Sequence, residues 1–436
     1  MNRQKVGLLF TLSLVLLAIL GFAAVLVADP VSTTVSAQES DNGSLYHVAP
    51  DCTGITPPCY TTIQDAVDVA DGAGDIIQVA QGTYTDIHAR DSYTQMVYLT
   101  KTVTIRGGFS PDFSVWDPDA YPTVLDAQRQ GRVFYIQGPG SLVIEGLQIT
   151  GGDGSAGGGD WGGGIFAVGG SGPSLTLTLR YNQVISNYAT ADLGTGGGLA
   201  AVFSNVILED NLFAHNEAVG AGGGARFEQT NADLQNNIFR DNRTQGSGGG
   251  IYLAYLNNVE MTNTVMIDNQ AAYAGGAMVA SGAYMRMLHT TVARNSSGDG
   301  TGISVVSGGT HGQIPSTVLM TNSILVSHTV GLTVYHGAPW YTNTATLDST
   351  LWDGVGQLAG GGGNLASTHV YMGDPAFAAD GYHLLPTSDA IDLGVDAGVH
   401  FDIDDQYRPA LAGFDLGADE VLIRAFLPLV LRAYGP

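Results

Sequence analysis

Asp241, Asp268 and Arg294 follow one another at 27 and 26 residues, and His215 and Ser186 precede them at 26 and 29. If the chain returns to one azimuth at that interval, these side chains form a single outward column. Two stacked carboxylates bind calcium or share a proton, and an adjacent arginine holds a sugar carboxylate. On that chemistry Asp241, Asp268 and Arg294 are the candidate catalytic residues, with Arg226, Glu228, Arg240 and Arg243 adding charge nearby. The competing arrangement is a solvated polar ladder in which Asp268 and Arg294 pair across neighbouring turns.

A second acidic group, Asp402, Asp404 and Asp405 in FDIDDQYRP, supplies candidate metal ligands. Alternating carboxylates in a turn coordinate calcium through oxygen, so Ca2+ is the cofactor this segment admits, while the rest of the chain requires none. The glycine and terminal glutamate of an EF-hand loop are absent. Arg408 paired with Asp415 or Glu420 is the structural alternative. Flat rings stack on pyranose faces, and Trp116, Trp161, Tyr252, Tyr255, Tyr335, Trp340 and Tyr341 offer them. His215, Arg226, Glu228, Tyr252, Trp340 and Tyr341 form the candidate ligand-binding set, with APWYTN in an expanded turn. No GxSxG, HExxH or GK[ST] is present, so a serine elbow, a zinc helix and a phosphate loop are unsupported.

The elements that must position these groups are repeats. The last glycines of successive clusters, Gly198, Gly224, Gly250 and Gly276, are 26 residues apart. About eight residues ahead runs a second series, Asn187, Asn216, Asn242, Asn269 and Asn295, at intervals of 26 to 29. Each unit is a short alternating strand, an asparagine, a polar turn, a glycine cluster and a second strand. Strands of this length cover a core only when neighbours stack. An inward row is predicted at Val184, Phe213, Phe239, Met266, Val292, Leu325 and Leu351. Further rows follow the glycines, through Ile251, Ala277 and Ile303 and through Leu253, Val279 and Val305. Period two within a strand and about 26 between strands describe a β-helix interior. The glycines are then backbone punctuation where no Cβ fits, and the asparagines bond turn to turn.

With these features the coils resemble right-handed parallel β-helix repeat proteins of the pectin-lyase-like superfamily. TTIQDAVDVADGAGDIIQVAQGTY resembles the amino-terminal start of that fold, with Ile63, Ala66, Val67 and Ala70 on one helical face. GYHLLPTSDAIDLGVDAG and FDIDDQYRPALAGFDLGADE resemble the closing module called choice-of-anchor Q, found on bacterial surface proteins. The resemblance implies a right-handed, single-stranded, all-β solenoid with a short N-terminal capping helix and a C-terminal cap over its last layer. A lyase of this superfamily would carry a calcium-binding acidic cluster and a basic residue on neighbouring coils.

Composition bounds the partners. The net charge is −24, and only Lys5 and Lys101 are lysines among 16 basic residues. Such a surface repels phosphate backbones, which excludes nucleic acid and leaves extracellular polysaccharide or cell-envelope components. Arg3 and Lys5 precede an apolar run from Val6 to Ala28, with Val35-Ser36-Ala37 as a cleavage site. Residues 1–37 are therefore expected to be a signal peptide or N-terminal anchor, touching membrane only if uncleaved. Cys52 and Cys59, the only cysteines, suit a bridge in that compartment. The expected organisation is a linker at 38–45, a β-helix at 46–365 with its cap at about 46–75, a closing module at 366–422 and a tail at 423–436. The expected protein is a secreted or cell-surface monomer, non-catalytic, structural or glycan-interacting. The alternatives are a polysaccharide lyase or glycoside hydrolase, and an adhesin binding protein partners.

Overall fold

The computed structural model describes residues 43–422, apart from 91, 157–158, 171–174, 310–312, 338–340 and 355. The expected export segment, the tail and Trp340 lie outside the described residues. Thirty described strands join one hydrogen-bonded network, and four short corner strands join another. A middle rung consists of Ala225–Glu228, Asn231–Gln235 and Ile238–Arg240, with Arg243–Thr244 at the following corner. Each strand pairs in parallel with its counterpart one rung away, as in Ala225↔Ile251 and Phe239↔Met266. The hairpin of His88–Arg90 with Tyr93–Leu99 is antiparallel.

Alternation places one face of every strand inside. Val184, Phe213, Phe239, Met266, Val292 and Leu325 are fully buried and stack in register. The Phe213 and Phe239 rings lie 4.7 Å apart and 7° from parallel. Three expected row members, Leu351, Ala277 and Val279, are displaced by one residue. Leu351 pairs with Ile324 rather than Leu325, so it faces outward. Ile251 pairs with Met278, which puts Met278 and Ala280 inward and moves Val279 opposite Tyr252 on the outer face. Both slips arise because these rungs hold 27 residues rather than 26, and a slip of one flips every side chain. Ala277 occupies the place of a third glycine, so the last glycine misaligned that rung.

Two polar rows hold the stack together. Asn242 Oδ1 accepts from the backbone N–H and the side-chain amide of Asn216, both at 3.0 Å. Its own amide donates to Phe213 O at 2.8 Å and to Asn269 Oδ1 at 3.0 Å. The same pattern runs from Asn187 to Asn295, all buried, and ends where His328 Nε2 accepts from Asn295 N–H at 3.3 Å. A second ladder joins Asn182, Asn211 and Asn237 at the preceding corner. The ladder explains the glycines. The first of each cluster has a positive φ, 66° at Gly222. A Cβ on Gly224 would meet Gly250 O at 2.6 Å and the Asn242 side chain at 3.1 Å.

The two ends differ. The helix Ile63–Val69 buries Ile63, Ala66 and Val67 against the first rung. Thr62 caps its start, accepting from Asp65 N–H at 3.1 Å. Lys101 Nζ caps its finish, donating to Val67 O and Asp68 O at 3.1 and 3.0 Å. Cys52 and Cys59 are bridged just before it. At the other end Asn364–Met372 pairs with Thr344–Trp352, so the coil runs through residue 372 rather than stopping at 365. The segment that follows does not cap the last layer. Leu384, Ala390, Leu416, Ala418 and Val421 pack sideways on the outward residues Val265, Ile267, Ala293, Ile324, Val326 and Leu351. Those rungs are apolar on both faces, and their outer face needs cover.

Asn242→Ala leaves buried partners on both neighbouring rungs unmet. At roughly 1–3 kcal/mol for each stranded group, the expected loss is about 2–4 kcal/mol, seen as a lower midpoint in guanidinium. Gln235→Ala, on the exposed side of an adjacent strand, should leave the midpoint unchanged; equal midpoints for both variants would contradict the ladder's role.

Candidate functional site

The outward column exists, and the backbone explains its polarity. Ser186, His215, Asp241, Asp268 and Arg294 occupy the corner residue before each asparagine, with φ of 55°, 56°, 54°, 57° and 55°. Left-handed positions favour asparagine, aspartate and other polar residues, so this row follows from the bend alone. Arg294 donates through Nε and NH2 to the two carboxylate oxygens of Asp268, at 2.9 and 2.8 Å. Its NH1 donates to Gly381 O at 3.1 Å. The C-terminal module thus touches that guanidinium, and three of its five N–H donors are taken within the protein. Asp241 pairs instead with its neighbour Arg240 at 3.0 Å. The arrangement is the cross-rung ladder, and Asp241 and Asp268 are both engaged by arginine.

Asp402, Asp404 and Asp405 do not converge. Asp402 is fully buried, and its Oδ1 accepts from the N–H groups of Asp404 and Gln406 at 2.9 and 2.8 Å. Its Oδ2 accepts from Glu420 N–H at 3.0 Å. Backbone donors therefore fill the oxygens a calcium ion would need, although burial pushes this carboxyl up to about 6. Asp404 turns the other way, to His383, while Asp405 occupies a left-handed turn. Arg408 is buried beside Glu420, 3.0 Å away, and donates to Gly417 O at 3.0 Å. That pairing holds the module closed.

His383 sits between two carboxylates, with Nδ1 2.6 Å from Asp380 and Nε2 2.6 Å from Asp404. The Asp404 hydrogen bond, then that of Asp380, holds its pKa up at about 9 against partial burial. His383, Asp404 and Asp419 also bring one ligand atom each within 4.8 Å of one another, an arrangement able to hold a cation.

The candidate ligand set divides. Arg226 and Tyr252 are partners on adjacent rungs, and Glu228 forms an ion pair with Arg226. The Arg226 guanidinium lies 4.4 Å from the Trp161 ring centroid and 5.5 Å from that of Tyr252. Ala200, between Phe166 and Arg226 in the outward row, leaves the gap across which these groups meet. Trp161, Arg226 and Tyr252 line a groove of about 530 Å³ with Asp160, Leu193 and Tyr273. Leu193 and Tyr273 project from turns ahead of glycine clusters and are 71% and 69% exposed. His215 is exposed at another corner, and Tyr341 lies outside the groove.

A second groove, of about 630 Å³, lies over the next sheet and includes Asn205, Asn231, Asp233, Glu260, Tyr284 and Arg286. Asp233, Glu260 and Arg286 are register partners on three successive rungs. Arg286 pairs with Glu260 at 2.6 Å, while burial and the Glu260 charge raise the Asp233 carboxyl. Neither Leu193, Tyr273 nor this carboxylate row was singled out from sequence. The available signals were large apolar residues inside otherwise polar turns, and two acids followed by an arginine at spacings of 27 and 26.

His383 carries the pH prediction. Its folded pKa lies above the ordinary 6.5, so its contribution is complete below about 6.5 and disappears as pH rises through about 9. The ring resonances in NMR should titrate near 9, and Asp404→Asn should move that midpoint down. A midpoint near 6.5 in the wild type would show that the carboxylates do not hold the imidazolium.

Residues 135–347 match the family model described as Right handed beta helix region. No curated protein matches the chain. Among solved structures it is similar to pectate lyase Pel9A, at 12% identity and a TM-score of 0.45, over 88% of this chain and 97% of that one. It is also similar to a rhamnogalacturonan lyase, at 12% identity and a TM-score of 0.38, over 76% of this chain and 85% of that one. XylC in complex with xylose is similar at 9% identity and a TM-score of 0.43, over 87% of this chain and 99% of that one. By its parallel rungs and the match over 135–347, the chain carries a right-handed β-helix region and winds as a right-handed parallel β-helix.

Proposed function

We propose that this protein is an exported, surface-associated β-helix that binds neutral glycan without cleaving it, in the groove lined by Trp161, Arg226, Tyr252 and Tyr273. One observation carries the reading: Arg226 is wedged between Trp161 and Tyr252 and neutralised by Glu228, so the groove offers rings and hydrogen bonds without free positive charge. Aromatic faces bind pyranose C–H surfaces, and flanking polar groups fix orientation. An anionic polymer would meet Asp160 in the groove wall and the −24 charge around it. The engagement of Arg294 by Asp268 and Gly381 supports a non-catalytic role for the corner column. The apolar segment Val6–Ala28 and the Cys52–Cys59 bridge support export.

The second groove favours a different reading, glycoside hydrolysis. Carboxylates on adjacent rungs lie roughly 5 Å apart, a spacing used by retaining enzymes. Arg286 pairs with Glu260 while burial raises the neighbouring Asp233 carboxyl, which suits Asp233 to the role of proton donor.

Calorimetry with neutral hexose and pentose oligosaccharides separates the two. Trp161→Ala should weaken binding about tenfold or more, equivalent to roughly 1.4 kcal/mol, while Asp268→Asn leaves it unchanged. Binding that survives Trp161→Ala would remove the aromatic groove. Reducing ends released by the wild type and abolished by Glu260→Gln would establish the hydrolase in its place.

A further inference from the structure

The coil is closed at one end and open at the other. The helix Ile63–Val69 covers the first rung. Among the described residues, the last rung, Gln357–Gly361 and Asn364–Met372, has strand partners only on its preceding side. Leu365 continues the inward row of the buried Ala345, yet it is 44% exposed. Leu358 and Ala359 pack only partly against the core. The described part of the C-terminal module packs on the flank and meets this rung at Tyr371. Folded proteins guard such edges with charge, proline or a bulge. Residues 357–372 contain no Asp, Glu, Lys, Arg or Pro, on a chain of net charge −24.

We propose that this open end is a two-fold interface, closed by the last rung of a second copy of the chain. A neutral rung is where two strongly acidic bodies approach with least repulsion. Antiparallel pairing centred on Ala366 sets Asn364 opposite Thr368 and Leu365 opposite Ser367. That register satisfies the free N–H and C=O groups of both edges and lays one open core on the other. His369, at φ 48°, bends the strand and ends the straight segment. A self-complementary contact closes on itself. Each copy uses its last rung in the contact, so assembly through that end stops at two rather than growing into a fibre. This departs from the monomer expected from sequence alone.

Light scattering during gel filtration of the full chain tests the interface. At about 100 µM, the expected mass is twice that of one 45.3 kDa chain. The doubled fraction should rise with salt, which screens the repulsion between like-charged bodies. Ala366→Glu, at an exposed outward position, should return the single mass with an unchanged far-ultraviolet CD spectrum. Deleting 423–436 should leave the doubled mass intact. A single wild-type mass at high salt overturns the proposal, as does a doubled mass that survives Ala366→Glu. Doubling that appears only after the deletion would assign the open end to the tail instead, and overturns it equally.

Discussion

The structure depends on burying asparagine side chains that bond from one rung to the next. A buried amide is costly unless every donor and acceptor is met. In Asn216, Asn242 and Asn269 they are met by backbone groups and amides one rung away. That bond pattern fixes how closely rungs approach, and so forbids a Cβ on the glycines that face it. It also fixes where the chain turns, because the residue before each asparagine must adopt left-handed geometry. Core, corners and glycine clusters are therefore consequences of one constraint.

The same constraint explains the polar corner column. A row of polar side chains in register resembles a catalytic array, yet the corner geometry selects polar residues whatever the function. Charge balance points the same way. Arg226, Arg240, Arg286 and Arg294 each lie against a carboxylate. Arginines held in this way offer little to an anionic ligand, and the proposed recognition of neutral glycan rests on ring surface and neutral hydrogen bonding. Trp161, Tyr252 and Tyr273 provide it in one place, because turns of unequal length bring ring-bearing segments over the same outward row.

The C-terminal module follows a different logic. Its buried acids organise turns: Asp402 and Asp415 accept from backbone N–H groups, and Arg408 neutralises Glu420 in the interior. Breaking one partner of such a buried pair would strand the other. The module serves as a side buttress for rungs whose outer faces are apolar, and Asn263 and Asn322 donate across the seam to Phe401 O and Val395 O.

Strand alternation, the glycine interval and the asparagine interval determined the winding and most of the inward rows from sequence alone. These are local periodicities, and stacking only repeats them. The rows at Leu351 and Ala277 went astray because one inserted residue reverses the face of a strand while barely altering the interval. The disulfide and the capping helix were equally legible, being formed by neighbours in the chain. Only the tertiary structure decided that residues 373–422 lie on the flank, that Asp404 meets His383 instead of Asp402, and that Trp161 reaches Arg226 across Ala200. Each depends on which side chains meet from segments far apart in the chain, and no spacing along it encodes that meeting.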